Sequence, residues 1–148
     1  HSYQEPAYDV YPLRPATTAS VGEGRVGNLP APVSLRELGQ RLRFVLNCGQ
    51  VQLVGPPERP ITRVAVACGA AGAFLADARR AGAEAFLTGE MRFHDYLAAR
   101  AQGVALILPG HYASERFAVE ALAERLAVAF PAVRATASTA ETDPVTWA

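Results

Sequence analysis

A chain of 148 residues is one ordinary domain's worth, large enough to bury about two-thirds of its unfolded surface. Half of its residues are apolar and 19% are charged, a balance that excludes an intrinsically disordered chain. Fourteen basic residues offset fourteen acidic ones, so the chain offers no electrostatic footprint for a nucleic-acid duplex or an anionic membrane.

In chain order, His1 to Leu13 is rich in tyrosine and proline, and Val10, Tyr11 and Leu13 suggest a strand or strand end. Thr17 to Pro32 is small, Gly-rich and closed by proline, which reads as a linker or loop. From Val33 the pattern becomes regular. Ser34-Leu35-Arg36-Glu37 is a capping-box sequence, with Val33 and Leu38 placed for a hydrophobic staple. Leu35, Leu38, Leu42 and Val45 then follow helical spacing, and Asn47 and Gly49 supply the stop. A short strand is expected over Val51 to Val54, broken by Gly55-Pro56-Pro57.

Three strand–helix units follow. Ile61 to Cys68 is a continuous valine-rich run of the kind buried on both faces of a parallel sheet, and Gly69 to Gly72 leads into a helix ending near Ala81. Ala83 to Leu87 and Glu90 to Ala101 form the second pair, and Val104 to Leu108 and Ala113 to Phe130 the third. Val133 to Ala137 is a candidate last strand. The alternation predicts an α/β fold: a mostly parallel sheet with flanking helices in α/β/α layers. The two cysteines, Cys48 at a helix end and Cys68 in a strand, read as buried thiols without a disulfide. No apolar run reaches the roughly 18–20 residues that span a bilayer, and no secretory signal is visible, so the expected compartment is the cytoplasm.

In open parallel sheets, ligands bind beyond the carboxyl ends of the strands. Three loops lie there. Cys68-Gly69-Ala70-Ala71-Gly72-Ala73 has only G-x-x-G of the dinucleotide fingerprint, which favours a tight packing turn over an anion cradle. Thr88-Gly89-Glu90 is followed by His94, and a Glu–His pair four apart shares one helix face, whether as a site or as solvated surface. Pro109-Gly110-His111-Tyr112-Ala113-Ser114-Glu115 puts His111 directly after the third strand, with Glu115 one turn on. Imidazole and carboxylate at that spacing can reach one divalent ion. They can equally be a helix-start residue and a charge suited to a helix N-terminus. Two mirrored pairs, Glu90/His94 and His111/Glu115, on one sheet edge argue for a site. All fourteen basic residues are arginine, so lysine Schiff-base chemistry and the P-loop lysine are excluded. G-x-S-x-G and HExxH are absent as well.

Gly24-Arg25-Val26-Gly27, the capped helix, the Val64–Gly72 strand and turn, Thr88-Gly89-Glu90 with His94-Asp95, Gly110-His111-Tyr112-Ala113-Ser114-Glu115-Arg116 and Thr142-Asp143-Pro144 occur in that order. Together they resemble the carboxyl-terminal half of the Nif-three-like dinuclear-metal proteins, the GTP cyclohydrolase 1 type 2 homologues, a duplicated fold. His1 to Leu13 further resembles the end of an inserted PII/CutA-like domain, departing from it at Ser2 and Gln4. The resemblance implies two units: residues 1–21 as the end of that insert with its linker, and residues 22–148 as the α/β domain.

It also implies a homohexamer with a two-metal centre holding zinc, iron or manganese. His111 and Glu115 would be two of the metal ligands, and Glu90 and His94 would have acid–base or supporting roles. The other ligands would come from an amino-terminal half that these residues do not include. The function implied is metal-dependent hydrolysis of a nucleotide. The alternatives are a non-catalytic metal-binding regulatory or scaffold hexamer, and a plain α/β domain whose His and Glu pairs are structural.

Overall fold

The computed structural model describes residues 22–146. The strand expected around Val10 to Leu13 and the PII/CutA-like segment therefore lie outside the described residues. Elements run β1 (Arg25–Ser34), α1 (Leu35–Val45), β2 (Gln52–Val54), β3 (Pro60–Val66), a 3-10 turn (Gly72–Phe74), α2 (Leu75–Arg80), β4 (Ala85–Leu87), α3 (Phe93–Ala101), β5 (Ala105–Leu108), α4 (His111–Glu115) and α5 (Phe117–Ala129).

The five strands form one sheet in the order β1-β3-β4-β5-β2. β3, β4 and β5 are parallel, as the repeated strand–helix units require, whereas the edge strands β1 and β2 pair antiparallel with β3 and β5. The α/β/α class holds, with a mixed sheet whose parallel part is its centre.

Alternation along the strands builds two cores. Phe86, Leu106 and Leu108 face Leu75, Ala78 and Ala99 from α2 and α3. Ala85, Leu87, Ala105 and Ile107 point the other way, onto Leu35 and Leu38 of α1, with Val33, Ile61 and Val64. Every residue of β4 and β5 is buried, which is why those runs read as uninterrupted apolar sequence.

α1 begins as its sequence specifies: Ser34 Oγ accepts from the Glu37 N–H at 3.1 Å. The reciprocal half of the box is not made, because the Glu37 carboxylate pairs with Arg41 at 2.6 Å instead. Three expectations are corrected. From Arg25 on, the Gly- and Pro-rich stretch read as a linker is strand β1; Pro30 and Pro32 sit where its register against β3 breaks, between Asn28 and Val33. An edge strand tolerates proline there because the missing N–H need not feed the ladder. Val133 to Ala137 is irregular rather than a strand, with both sheet edges already taken by β1 and β2. The third helix is broken at Arg116 into α4 and α5.

The cysteine expectation also changes. Cys68 lies in the loop after β3 and is exposed, and Cys48 is half-buried behind α1; both thiols are free. Desolvation, and then the Glu115 carboxylate, push the Cys68 thiol above its ordinary value. No helix among the described residues is long and apolar enough to cross a membrane.

Candidate functional site

The carboxyl ends of β3, β4 and β5 bring the three loops onto one another. Their joint is made of backbone and of Thr88 and Ser114, the two buried polar side chains among the described residues. Thr88 Oγ1 donates to Gly69 O at 2.9 Å and accepts from Ala71 N–H at 3.1 Å. Ser114 Oγ accepts from Gly69 N–H at 2.9 Å and donates to His111 O at 2.8 Å. Glu90 N–H donates to Gly69 O, and Gly110 N–H to Gly89 O. At Gly89 a Cβ would stand 2.6 Å from Ser114 Oγ and 2.9 Å from His111 Cα, so only glycine lets the loops approach this closely. The glycine loop after β3 thus serves close packing, with Gly69 at φ +68° turned against the Glu115 and His111 side chains.

Above this joint stand Glu90, His111 and Glu115. Glu90 Oε1 lies 2.8 Å from His111 Nδ1, and Glu115 Oε2 lies 3.4 Å from His111 Nε2. All three side chains are about half exposed. The hydrogen bond to Glu90 raises the His111 pKa above its ordinary value; desolvation opposes this, and the Glu115 and Glu90 charges reinforce it.

Among the described residues no three His, Cys, Asp or Glu side chains converge on one point. The reason is visible in the trio, where Glu90 occupies the opposite edge of the imidazole from Glu115. The donor set still suits a metal from one side. Two ligands at about 2.1 Å from a tetrahedral ion stand roughly 3.4 Å apart, which is the Nε2–Oε2 separation here. A carboxylate on the far nitrogen is the usual partner of a ligating histidine.

His94 lies elsewhere. α3 starts at Phe93, so Glu90 precedes the helix and the two do not share a helical face. His94 is exposed, edge-on to the Phe93 ring at 6.3 Å, and takes no part in the trio's hydrogen bonds or ion pairs. Sequence reasoning assigned nothing to Thr88 and Ser114 although both stand inside the quoted motifs; a small hydroxyl beside glycine at a strand end was the available signal. It also missed Arg116, which ties the polar tail to the site. Arg116 Nη2 donates to Ser138 O at 2.6 Å, Nε lies 3.3 Å from Glu141, and Nη1 lies 2.7 Å from Glu120. Nothing in the order of residues announces partners so far along the chain.

Residues 7–144 match the Duf34/NIF3 (NGG1p interacting factor 3) family. The chain belongs to that family. Among the curated relatives, the "GTP cyclohydrolase 1 type 2 homolog" of Bacillus subtilis is 36% identical over 115 residues, covering 78% of this chain and 31% of its own length. The protein of the same description from Mycobacterium bovis is 40% identical over 118 residues, again 78% and 31%. A solved Bacillus cereus protein related to NIF3 superposes with a TM-score of 0.75 at 25% identity, over 86% of this chain and 36% of its own. A Staphylococcus aureus protein gives 0.75 at 29%, over 84% and 37%. The chain thus spans about a third of the length of these Duf34/NIF3 relatives, the relation expected of one half of a longer, duplicated fold.

Proposed function

We propose that this Duf34/NIF3 chain supplies one wall of a divalent-metal site, with His111 Nε2 and Glu115 as ligands. Glu90 positions the imidazole. The observation that carries this reading is the arrangement of the trio: a histidine with one nitrogen held by a carboxylate and the other beside a second carboxylate at ligand spacing. A zinc, iron or manganese ion held there would supply the Lewis acidity for hydrolysis. The chain's own contribution is preorganisation. Glu90 accepts the Nδ1 proton and so fixes the tautomer that presents the Nε2 lone pair. Thr88 and Ser114 lock the loops that carry Glu90 and His111. His94 has no place in the proposed ligand set.

Two ligands do not close a metal site, so the remainder comes from outside residues 22–146, and the complete centre belongs to a cytoplasmic homo-oligomer, the hexamer of the family resemblance. The reaction proposed for it is metal-dependent hydrolysis of a nucleotide, in keeping with curated relatives described as GTP cyclohydrolase 1 type 2 homologs. A non-catalytic metal-binding assembly is the second reading. Both readings call for assembly, and α5, an apolar helix with no buried residue, offers surface suited to it.

Zinc titrated calorimetrically into the chain tests the first reading. Binding is expected to vanish in His111→Ala, to weaken about tenfold or more in Glu115→Gln, and to persist in His94→Ala. Unchanged affinity in His111→Ala would overturn the proposal.

A further inference from the structure

Past the end of α5 the chain turns back on itself. α5 has 13 residues and is about 20 Å long at 1.5 Å per residue, yet Ser138 and Glu141 lie against Arg116, at the helix start. Residues 131–146 contain no helix or strand. Their last part, with Glu141, Asp143, Pro144 and Val145, forms one wall of an open pocket of about 620 Å³ beside His111 and Glu115. Asp143 and Val145 also line a second pocket of about 470 Å³, against Cys48 and Phe117. The segment is therefore a partition between two cavities and not part of a packed core.

What holds it there is polar. Within residues 131–146 only Ala135, Ala137 and Asp143 are half-buried; the others are exposed and none is buried. A segment with so few buried apolar contacts opens locally at low cost. Three contacts tie residues 138–145 to the body among the described residues. Arg116 Nη2 donates to Ser138 O at 2.6 Å, Arg116 Nε lies 3.3 Å from the Glu141 carboxylate, and Tyr112 Oη donates to Glu141 O at 3.4 Å. The Arg116 side chain is only 17% exposed, so the anchor is rooted in the body while the segment it holds is not.

The closed arrangement carries a cost at that anchor. Arg116 Nη1 is buried and makes no hydrogen bond to the described residues; Glu120 Oε1 stands 2.7 Å away, at ion-pair distance but out of hydrogen-bond alignment. Burying a charged donor in that state is unfavourable, and it offsets part of what Nη2 and Nε contribute. Lifting the segment takes Ser138 and Glu141 off the guanidinium and lets water reach it, which narrows the gap between the closed and open forms.

We propose that residues 138–145 are a strap, latched by Arg116, that swings off the body as one piece and turns the walled pocket beside His111 into an open cleft while the sheet stays folded. Entry to and exit from the pocket then depend on the strap and not on opening of the core. The proposal stands whether or not His111 and Glu115 hold a metal.

Digestion of the folded chain with a protease that cuts before aspartate tests it. Asp143 lies in the strap, whereas Asp77 and Asp95 lie in α2 and α3. Where opening is fast relative to cutting, each rate follows the population of the open form. The Asp143 cut is expected to outpace the other two about tenfold or more. Arg116→Met should speed it about tenfold further through loss of a hydrogen bond from a charged donor, with the Asp77 and Asp95 cuts and the melting temperature little changed. Glu141→Gln, at an exposed position, should speed it about two- to fivefold, and it decides the outcome if Arg116→Met does not fold. An Asp143 cut no faster than those in the helices would overturn the proposal, as would an Asp143 rate unchanged in the variants. Cuts that rise together at all three sites would overturn it too, because Arg116 would then brace the core instead of latching a strap.

Discussion

His111 is held between two carboxylates, and that placement has consequences for pH. Its pKa is raised, chiefly by the Glu90 hydrogen bond, so the protonated ring is favoured in the folded chain. The stability this adds is fully present below the imidazole's ordinary value of about 6.5 and is lost as pH rises through the higher folded value. Because the group is largely exposed, the effect on unfolding is small, and the ring's own titration is the sensitive reading. Nuclear magnetic resonance should show His111 titrating above the ordinary imidazole value, with Glu90→Gln removing most of the rise. A metal competes with the same proton, so zinc affinity should climb over the interval in which His111 deprotonates. Losing the supporting carboxylate in Glu90→Gln should reduce that affinity about 10- to 100-fold at a pH where the ring is neutral.

Between elements, two devices hold the framework under the site. The first is the Thr88–Ser114 joint. Thr88→Val keeps the shape but orphans the Ala71 N–H and leaves the Gly69 carbonyl with only the Glu90 N–H as donor, and is expected to destabilise the chain by about 1–3 kcal/mol in urea unfolding. Gly89→Ala should cost a similar amount by forcing a Cβ into Ser114 Oγ and the Gly69 carbonyl. The second is Glu84, whose carboxylate accepts from the Thr62 and Arg63 N–H groups and so ties the start of β4 to β3. Those bonds hold its pKa below the ordinary carboxylate value. Its contribution is therefore present above the unfolded value and is lost as pH falls through the depressed one. Glu84→Gln should lower stability at neutral pH by at most about 1 kcal/mol, given the site's exposure, and should flatten the acid limb of the pH–stability curve.

At this scale one can also see what the sequence made legible. The run Val104 to Leu108 and the Ala83–Leu87 run announced central strands because they are buried on both faces. β1 was hidden because its glycines and prolines mimic a linker, and only pairing with β3 makes it a strand. The start of α3 was placed three residues early, since Glu90 looks helical by type while its N–H is committed to Gly69 O. That error produced the supposed Glu90/His94 face. The true partner of Glu90, His111, stands twenty-one residues away, where no spacing rule reaches.

For the whole molecule, the unfinished feature is α5. Phe117, Leu122, Leu126 and, just beyond the helix end, Phe130 are all exposed, between 40% and 57%, and no residue of the helix is buried. A chain that spans about a third of its relatives' length and shows such a surface is expected to self-associate as its concentration rises. Sedimentation velocity should reveal this, and Leu122→Glu with Leu126→Glu, one turn apart on α5, should shift the chain toward monomer with little change in melting temperature. Monodisperse behaviour of the parent chain at high concentration would show that this surface does not drive assembly.

The metal reading of the Glu90–His111–Glu115 trio is tested most directly by following the imidazole nitrogens of the histidines by nuclear magnetic resonance while zinc is added. His111 alone should respond, with Nε2 shifting to a metal-bound position and Nδ1 keeping its proton toward Glu90. A response at His94 with none at His111, or a His111 ring that stays unchanged in excess zinc at a pH where it is neutral, would contradict it.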